Sequence, residues 1–143
     1  MKKILNLEVN SNVSNIAVVR LAISTFISDI SGITMEDITD VKTSVSEAVS
    51  NAIEHAYIGD EGIIKVNCIV ENSNIFIKVI DSGIGIEDIS LAITPAYTSK
   101  PDEEHAGLGF TIMENFMDSI EVDSKVERGT TISMYKKIVN KRN

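Results

Sequence analysis

The chain has no tryptophan, one cysteine, two prolines and only 5% aromatic residues in its 143 positions. With so few rings, a core must rest on Ile, Val, Leu, Met and Ala. The hydrophobic share of 43% is enough to fill one core in a single domain, residues 1–143. A lone cysteine, Cys68, excludes an internal disulfide, and its apolar surroundings predict a buried, inert thiol. Basic residues are scarce too: 13 Lys and Arg against 21 Asp and Glu leave a formal charge of −8. That balance argues against direct nucleic-acid binding, which needs a basic surface, and suits a basic partner. No apolar run approaches the ~18 residues of a membrane span. The N-terminus MKKILNLEVN lacks the apolar stretch and cleavage site of a signal peptide, so a cytoplasmic protein without membrane contact is expected. His55 and His105 are far apart and there is one cysteine, so no zinc site of ordinary spacing forms; a GxSxG elbow is absent as well.

What is present is periodicity. Residues 4–9 alternate apolar and polar, which predicts a first strand. Ile16, Val19, Ile23, Phe26, Ile27 and Ile30 recur at helical spacing, predicting a helix over about 13–30 that Ser31-Gly32 breaks. Thr34-x-x-Asp37 resembles a capping box and opens a second helix, about 34–57, with Ile38, Val41, Val45, Ala48, Ala52 and Ala56 as its buried stripe. Two β-branched runs, 63–70 and 74–80, flank a tight turn at Glu71-Asn72-Ser73. Residues 86–106 are polar and hold both prolines, Pro95 and Pro101; a long loop of this kind suggests a lid. A helix over about 107–117, with Ile112, Met113 and Phe116 inward, precedes strands at 119–124 and 130–138 around Glu127-Arg128-Gly129. The order implies an α/β two-layer sandwich: a mixed, mostly antiparallel sheet with helices on one face.

Three short motifs carry chemistry. In EAVSN, Glu47 and Asn51 lie four apart on the second helix, about 40° from each other around its axis. In DSGIG, a strand delivers Asp81, whose carboxylate can accept from an amino group. Gly83 and Gly85 then allow close backbone approach. In GLGF, Gly107, Leu108 and Gly109 open a helix whose unpaired N–H groups suit phosphate oxygens. Singly, these have ordinary explanations: a solvated helix face, a hairpin turn, a flexible loop end. In this order they describe an acid, a metal-binding amide and naked backbone around a nucleoside triphosphate. The spacing is neither a Walker A loop nor a Rossmann fingerprint.

EAVSNAIEHAY, DSGIG, TSKP, GLGFTIMENFMD and the closing GTTI resemble the Bergerat-type (GHKL) ATP-binding superfamily, which includes DNA gyrase and sensor histidine kinases. Within it the chain is similar, over nearly its whole length, to the anti-sigma factor serine kinases of the sporulation type. The resemblance implies ATP and Mg²⁺ as cofactors, Glu47 as general base and Asn51 as metal ligand. It places Asp81 and Thr130 at the adenine, with Gly83 and Gly85 shaping the pocket. Thr98, Ser99 and Lys100 fall in the lid, and Gly107, Leu108 and Gly109 contact phosphate. The partners it implies are a sigma factor, an anti-anti-sigma antagonist phosphorylated on serine, and a second copy of the chain. Arg20 and His105 match positions of partner contact. His105 stands where the family pattern has an arginine, and an imidazole cannot form the bidentate phosphate pair of a guanidinium. The alternatives are a nucleotide-gated sigma-binding module without phosphotransfer, a general-stress anti-sigma kinase, and a detached histidine-kinase ATPase domain. Against the last stands the lack of an upstream hairpin carrying a phosphoacceptor histidine.

Overall fold

The computed structural model describes residues 2–56, 61–83 and 108–139. Five strands, β1 (Lys2–Asn10), β2 (Ile63–Glu71), β3 (Asn74–Asp81), β4 (Ser119–Lys125) and β5 (Gly129–Lys137), form one sheet in the order β1-β2-β3-β5-β4. Helices α1 (Asn15–Ile27), α2 (Met35–Asn51) and α3 (Leu108–Phe116) pack on one face of it. The two-layer sandwich is therefore as expected. Its sheet is antiparallel at all four pairings among the described residues, and the parallel component implied by "mixed" is not found there. The reason is the route of the chain: after β3 it passes through α3 and β4, and β5 returns beside β3 in the opposite sense.

Alternation in the strands sets the layers. Ile64, Val66, Cys68 and Val70 of β2, and Ile75, Ile77 and Val79 of β3, face the helices and are buried. Ile4, Ile63 and Phe76, on the opposite face, are exposed. There Phe76 sits across from Tyr135 with ring centroids 5.1 Å apart, a cross-strand pair of the kind that stabilises sheets. The hairpin between β2 and β3 turns at Asn72 (φ 51°) and Ser73 (φ 66°), the left-handed geometry that fits the twist of the strands. Cys68 lies at the centre of the buried face, and burial pushes its thiol pKa up to about 12.

The helices end where local hydrogen bonds dictate. At the start of α2 the capping box is complete: Asp37 N–H donates to Thr34 Oγ1 at 3.0 Å, and Thr34 N–H to Asp37 Oδ2 at 3.1 Å. α1 stops at Ile27, earlier than the periodicity predicts. There Lys3 Nζ donates to Phe26 O at 3.0 Å, and Ser28 Oγ to Thr25 O at 2.7 Å. α2 does not run on to Tyr57 as an α-helix; after Asn51 it loosens into a π turn, Ala52–Ala56, a feature that recurs at functional sites. In α3 the buried residues are Phe110 and Met113, with Met117 just beyond its end, while Ile112 and Phe116 are half-buried. The inward face is thus rotated from the predicted one and runs through Phe110, Met113 and Met117.

Ser44 is fully buried on α2, and its hydroxyl has no hydrogen-bond partner among the described residues. A buried hydroxyl without a partner carries its desolvation cost uncompensated. Ser44→Ala is therefore expected to raise stability by about 1 kcal/mol, or a few degrees in Tm. Scanning calorimetry of the two proteins checks this; a lower Tm for the alanine variant refutes it.

Candidate active site

At one end of the sheet the inward pattern gives way to a pair of buried polar residues. Asp81 follows Ile75, Ile77 and Val79 in β3, and Thr130 precedes Ile132 and Met134 in β5. Both occupy helix-facing positions, both are buried, and they are register partners. Asp81 Oδ1 accepts from Gly83 N–H at 2.9 Å and from Thr130 N–H at 3.2 Å. Both bonds fall on one carboxylate oxygen, which leaves Oδ2 to a ligand. Burial raises the Asp81 pKa above the ordinary carboxylate value, and the two N–H donors oppose that shift.

Two residues outside the predicted site hold this corner together. Gly129 has φ +97°, and a Cβ there would stand 2.0 Å from the Asp81 carbonyl oxygen. Only glycine lets the β4–β5 turn lie so close to the end of β3. Ser124 Oγ donates to Gly129 O at 3.1 Å and lies 2.7 Å from Thr130 Oγ1, so it orients the threonine hydroxyl. The Glu127-Arg128-Gly129 turn announces the glycine in the sequence. Nothing in the sequence announces Ser124, whose role depends on strand register.

The second corner is built by α2 and α3. Glu47 and Asn51 share a face of α2, and the π turn that follows Asn51 packs against β3. Gly109 lies directly on them: a Cβ at this position would meet Glu47 Oε2 at 3.2 Å, Asn51 Nδ2 at 3.6 Å and Asn51 Oδ1 at 3.7 Å. Glycine here brings bare backbone of the second residue of α3 against an acid and an amide. The first N–H groups of a helix have no partner within it. Asn51 Nδ2 is itself buried and without a hydrogen-bond partner among the described residues. An orphaned amide donor beside helix N–H groups is a site built for oxygen atoms of an anion.

Of the residues predicted from sequence, Glu47, Asn51 and Gly109 come together at one corner, and Asp81, Gly83 and Thr130 at the other. Leu108 begins α3. Arg20 does not stand alone on the surface: its Nη1 donates to Ser46 Oγ at 2.8 Å, which joins α1 to α2 one residue before Glu47. Gly85, Thr98, Ser99, Lys100, His105, Gly107 and the lid at 86–106 lie outside the described residues. Among the described residues no group of three or more His, Cys, Asp or Glu could hold a metal ion. A cation at this site would depend on Asn51 Oδ1 together with oxygens of the ligand.

Comparison with known proteins decides the family. The pattern of the histidine kinase-like ATPase domain matches residues 9–136. An anti-sigma F factor of Clostridium novyi (strain NT) is 50% identical over 136 residues, covering 94% of each chain. The chain belongs to the anti-sigma F factor family. A second member of that family, from Geobacillus kaustophilus (strain HTA426), is 40% identical over 143 residues, 99% of this chain and 97% of its own. Among solved structures, the mycobacterial sensor histidine kinase MprB superposes with a TM-score of 0.60 at 19% identity, covering 93% of this chain and 97% of its own. The catalytic domain of histidine kinase ThkA gives 0.57 at 19% identity, with 95% and 96% covered. These two show that the family shares its fold with histidine-kinase ATPase domains. No helix among the described residues is long and apolar enough to cross a membrane.

Asp81→Asn separates the stability of the Asp81–Thr130 corner from ligand binding there. An amide keeps Oδ1 as acceptor for both N–H groups but turns a donor toward the ligand. Affinity for adenosine is expected to fall. Stability is expected to rise at neutral pH: an acid whose folded pKa is raised costs stability as pH climbs through that pKa, and asparagine carries no such cost. Below the ordinary carboxylate range the stability difference vanishes. Calorimetric titration with adenosine and thermal melts from pH 3 to 8 check both; unchanged adenosine affinity removes Asp81 from the site.

Proposed function

We propose that this protein binds Mg²⁺-ATP at the two corners, phosphorylates a serine on an anti-anti-sigma antagonist, and sequesters a sigma factor. The observation that carries this reading is Gly109 seated on Glu47 and the orphaned Asn51 amide, opposite the buried Asp81–Thr130 pair. Asp81 Oδ2 accepts from the adenine amino group. The α3 N-terminus and Asn51 Nδ2 donate to phosphate oxygens, while Asn51 Oδ1 would hold the metal ion. Mg²⁺ supplies charge neutralisation on the phosphates, and it favours oxygen ligands such as an amide carbonyl. Glu47 takes the proton of the seryl hydroxyl as that oxygen bonds to the γ-phosphorus. The bond from the γ-phosphorus to its bridging oxygen breaks and ADP leaves. The anti-sigma F factor names of the relatives support the sigma partner. The kinase reading draws on the family's ATPase domain.

Removing a general base costs about 10²–10⁴-fold in rate. Glu47→Gln is expected to bind ATP and the sigma factor near normally and to lose phosphotransfer by that order. Radiolabel transfer from γ-labelled ATP to the antagonist, beside an ATP titration, measures both. Near-normal turnover excludes Glu47 as base. Transfer absent from the wild-type protein as well favours a nucleotide-gated binding module.

The same reading includes a homodimer. β1 is an edge strand with its outer backbone groups open to pairing. Next to it α1 exposes Val18 and Leu21, and Val13 is exposed just before the helix. Sedimentation at micromolar concentration is expected to give twice the mass of the chain; a monomer with and without nucleotide excludes the dimer.

A further inference from the structure

The phosphate corner lies where α3 meets α2, and one side chain touches both helices at the far end. Lys136, on β5, reaches inward with 13% of its side chain exposed. Its Nζ donates to Phe116 O, the last carbonyl of α3, at 2.8 Å, and lies 3.9 Å from Asp40 Oδ2 on α2. A cation at a helix C-terminus meets unpaired carbonyls and the negative end of the dipole. The link to α2 crosses between helices that run antiparallel. Asp40 is two turns from Glu47 along α2, and Phe116 is two turns from Gly109 along α3, a span of about 10 Å in each helix.

We propose that Lys136 is a positioning residue that holds α3 at a fixed height and spacing against α2. Through α3 it sets where Gly109 and the helix N-terminus meet Glu47 and Asn51. This rests on the ATP reading of the site. Two further bonds tie the chain after α3 to β5, Asp118 N–H to Tyr135 O at 2.9 Å and Lys137 N–H to Asp118 Oδ2 at 2.8 Å. They hold the chain beyond the helix end. Among the described residues Lys136 alone grips both a carbonyl of the helix itself and a side chain of α2. The adenine corner depends on other contacts: Asp81, Thr130, Gly129 and Ser124 are joined to one another by strand pairing and by their own hydrogen bonds. The loss of Lys136 therefore acts on the phosphate end of the ligand and leaves the adenine end in place. General loosening of the fold would not discriminate between them.

The test compares ATP with Mg²⁺ and adenosine as separate ligands by calorimetric titration, with Tm recorded for each variant. Lys136→Met keeps the aliphatic stem and removes the charge. It is expected to lose roughly tenfold in ATP affinity, a charge-assisted bond and its geometry being lost, while adenosine affinity stays within about twofold. Lys136→Arg restores a donor and is expected to recover most of the ATP affinity. Asp40→Asn keeps the bond to Phe116 and is expected to show a smaller loss, again for ATP alone. Equal weakening of both ligands, or no change in either, overturns the proposal. Where Lys136→Met does not fold, Asp40→Asn decides, and an unchanged ratio of ATP to adenosine affinity overturns it. Wild-type protein that binds adenosine and ATP equally, or neither, overturns the ATP reading itself and the positioning role with it.

Discussion

The corner built by α2 and α3 depends on one close approach, the backbone of α3 at Gly109 lying on the Glu47 and Asn51 side chains of α2. Helices ordinarily meet through side chains, with axes 8–10 Å apart. Here a missing side chain lets a carboxylate and an amide come within contact of helix backbone. Ala48, Ala52 and Ser44 are the small neighbours that let α2 fit beneath. The arrangement asks the protein to bury polar atoms before any ligand arrives. The unpartnered Asn51 amide is the direct sign of that cost. A pocket that is poorly satisfied when empty gains most when an oxygen-rich anion enters, because each donor then finds its acceptor.

The opposite corner uses the sheet in the same way. Asp81 and Thr130 sit where the alternation calls for aliphatic residues, so β3 and β5 give up two core positions to polar chemistry. The carboxylate is kept in place by two backbone donors, and the missing side chain of Gly129 leaves room for the Asp81 backbone carbonyl. The core makes up the difference elsewhere: residues such as Val41, Val45, Ile75 and Ile77 are fully buried, each stabilising by about 1.5–3 kcal/mol. The half-buried Lys136–Asp40 contact fits the same division of labour, with the apolar layer supplying stability and the sparse polar contacts fixing geometry.

Much of this was legible in the sequence, for identifiable reasons. The capping box at Thr34 and Asp37 and the alternation of β2 and β3 are local patterns, and local patterns survive folding. The pairing of Glu47 with Asn51 follows from helical geometry alone. The early end of α1 did not show, because Lys3 caps it from a strand far away in the chain. The π turn after Asn51 did not show either, since AIEHA carries no helix breaker. Gly109, Gly129 and Ser124 draw their importance from what a Cβ or a hydroxyl would meet, a tertiary fact. The antiparallel sense of every strand pair follows from the path of the chain, which periodicity does not encode.

The pairing of β3 with β5 also has a consequence for how the molecule comes into being. Asp81 and Thr130 are 49 positions apart in the chain, whereas the β2–β3 and β4–β5 hairpins close within a few residues of their turns. Contacts that close long loops bear the larger entropic cost and form late. The β1–β2 pairing reaches across α1 and α2 and closes a long loop as well, so only the β2–β3 and β4–β5 hairpins are local. Until β5 pairs with β3 the Asp81 carboxylate has no Thr130 amide, and the inward face of β3 lacks a neighbour. The Asp81–Thr130 corner is thus completed only when β5 takes its place between β3 and β4.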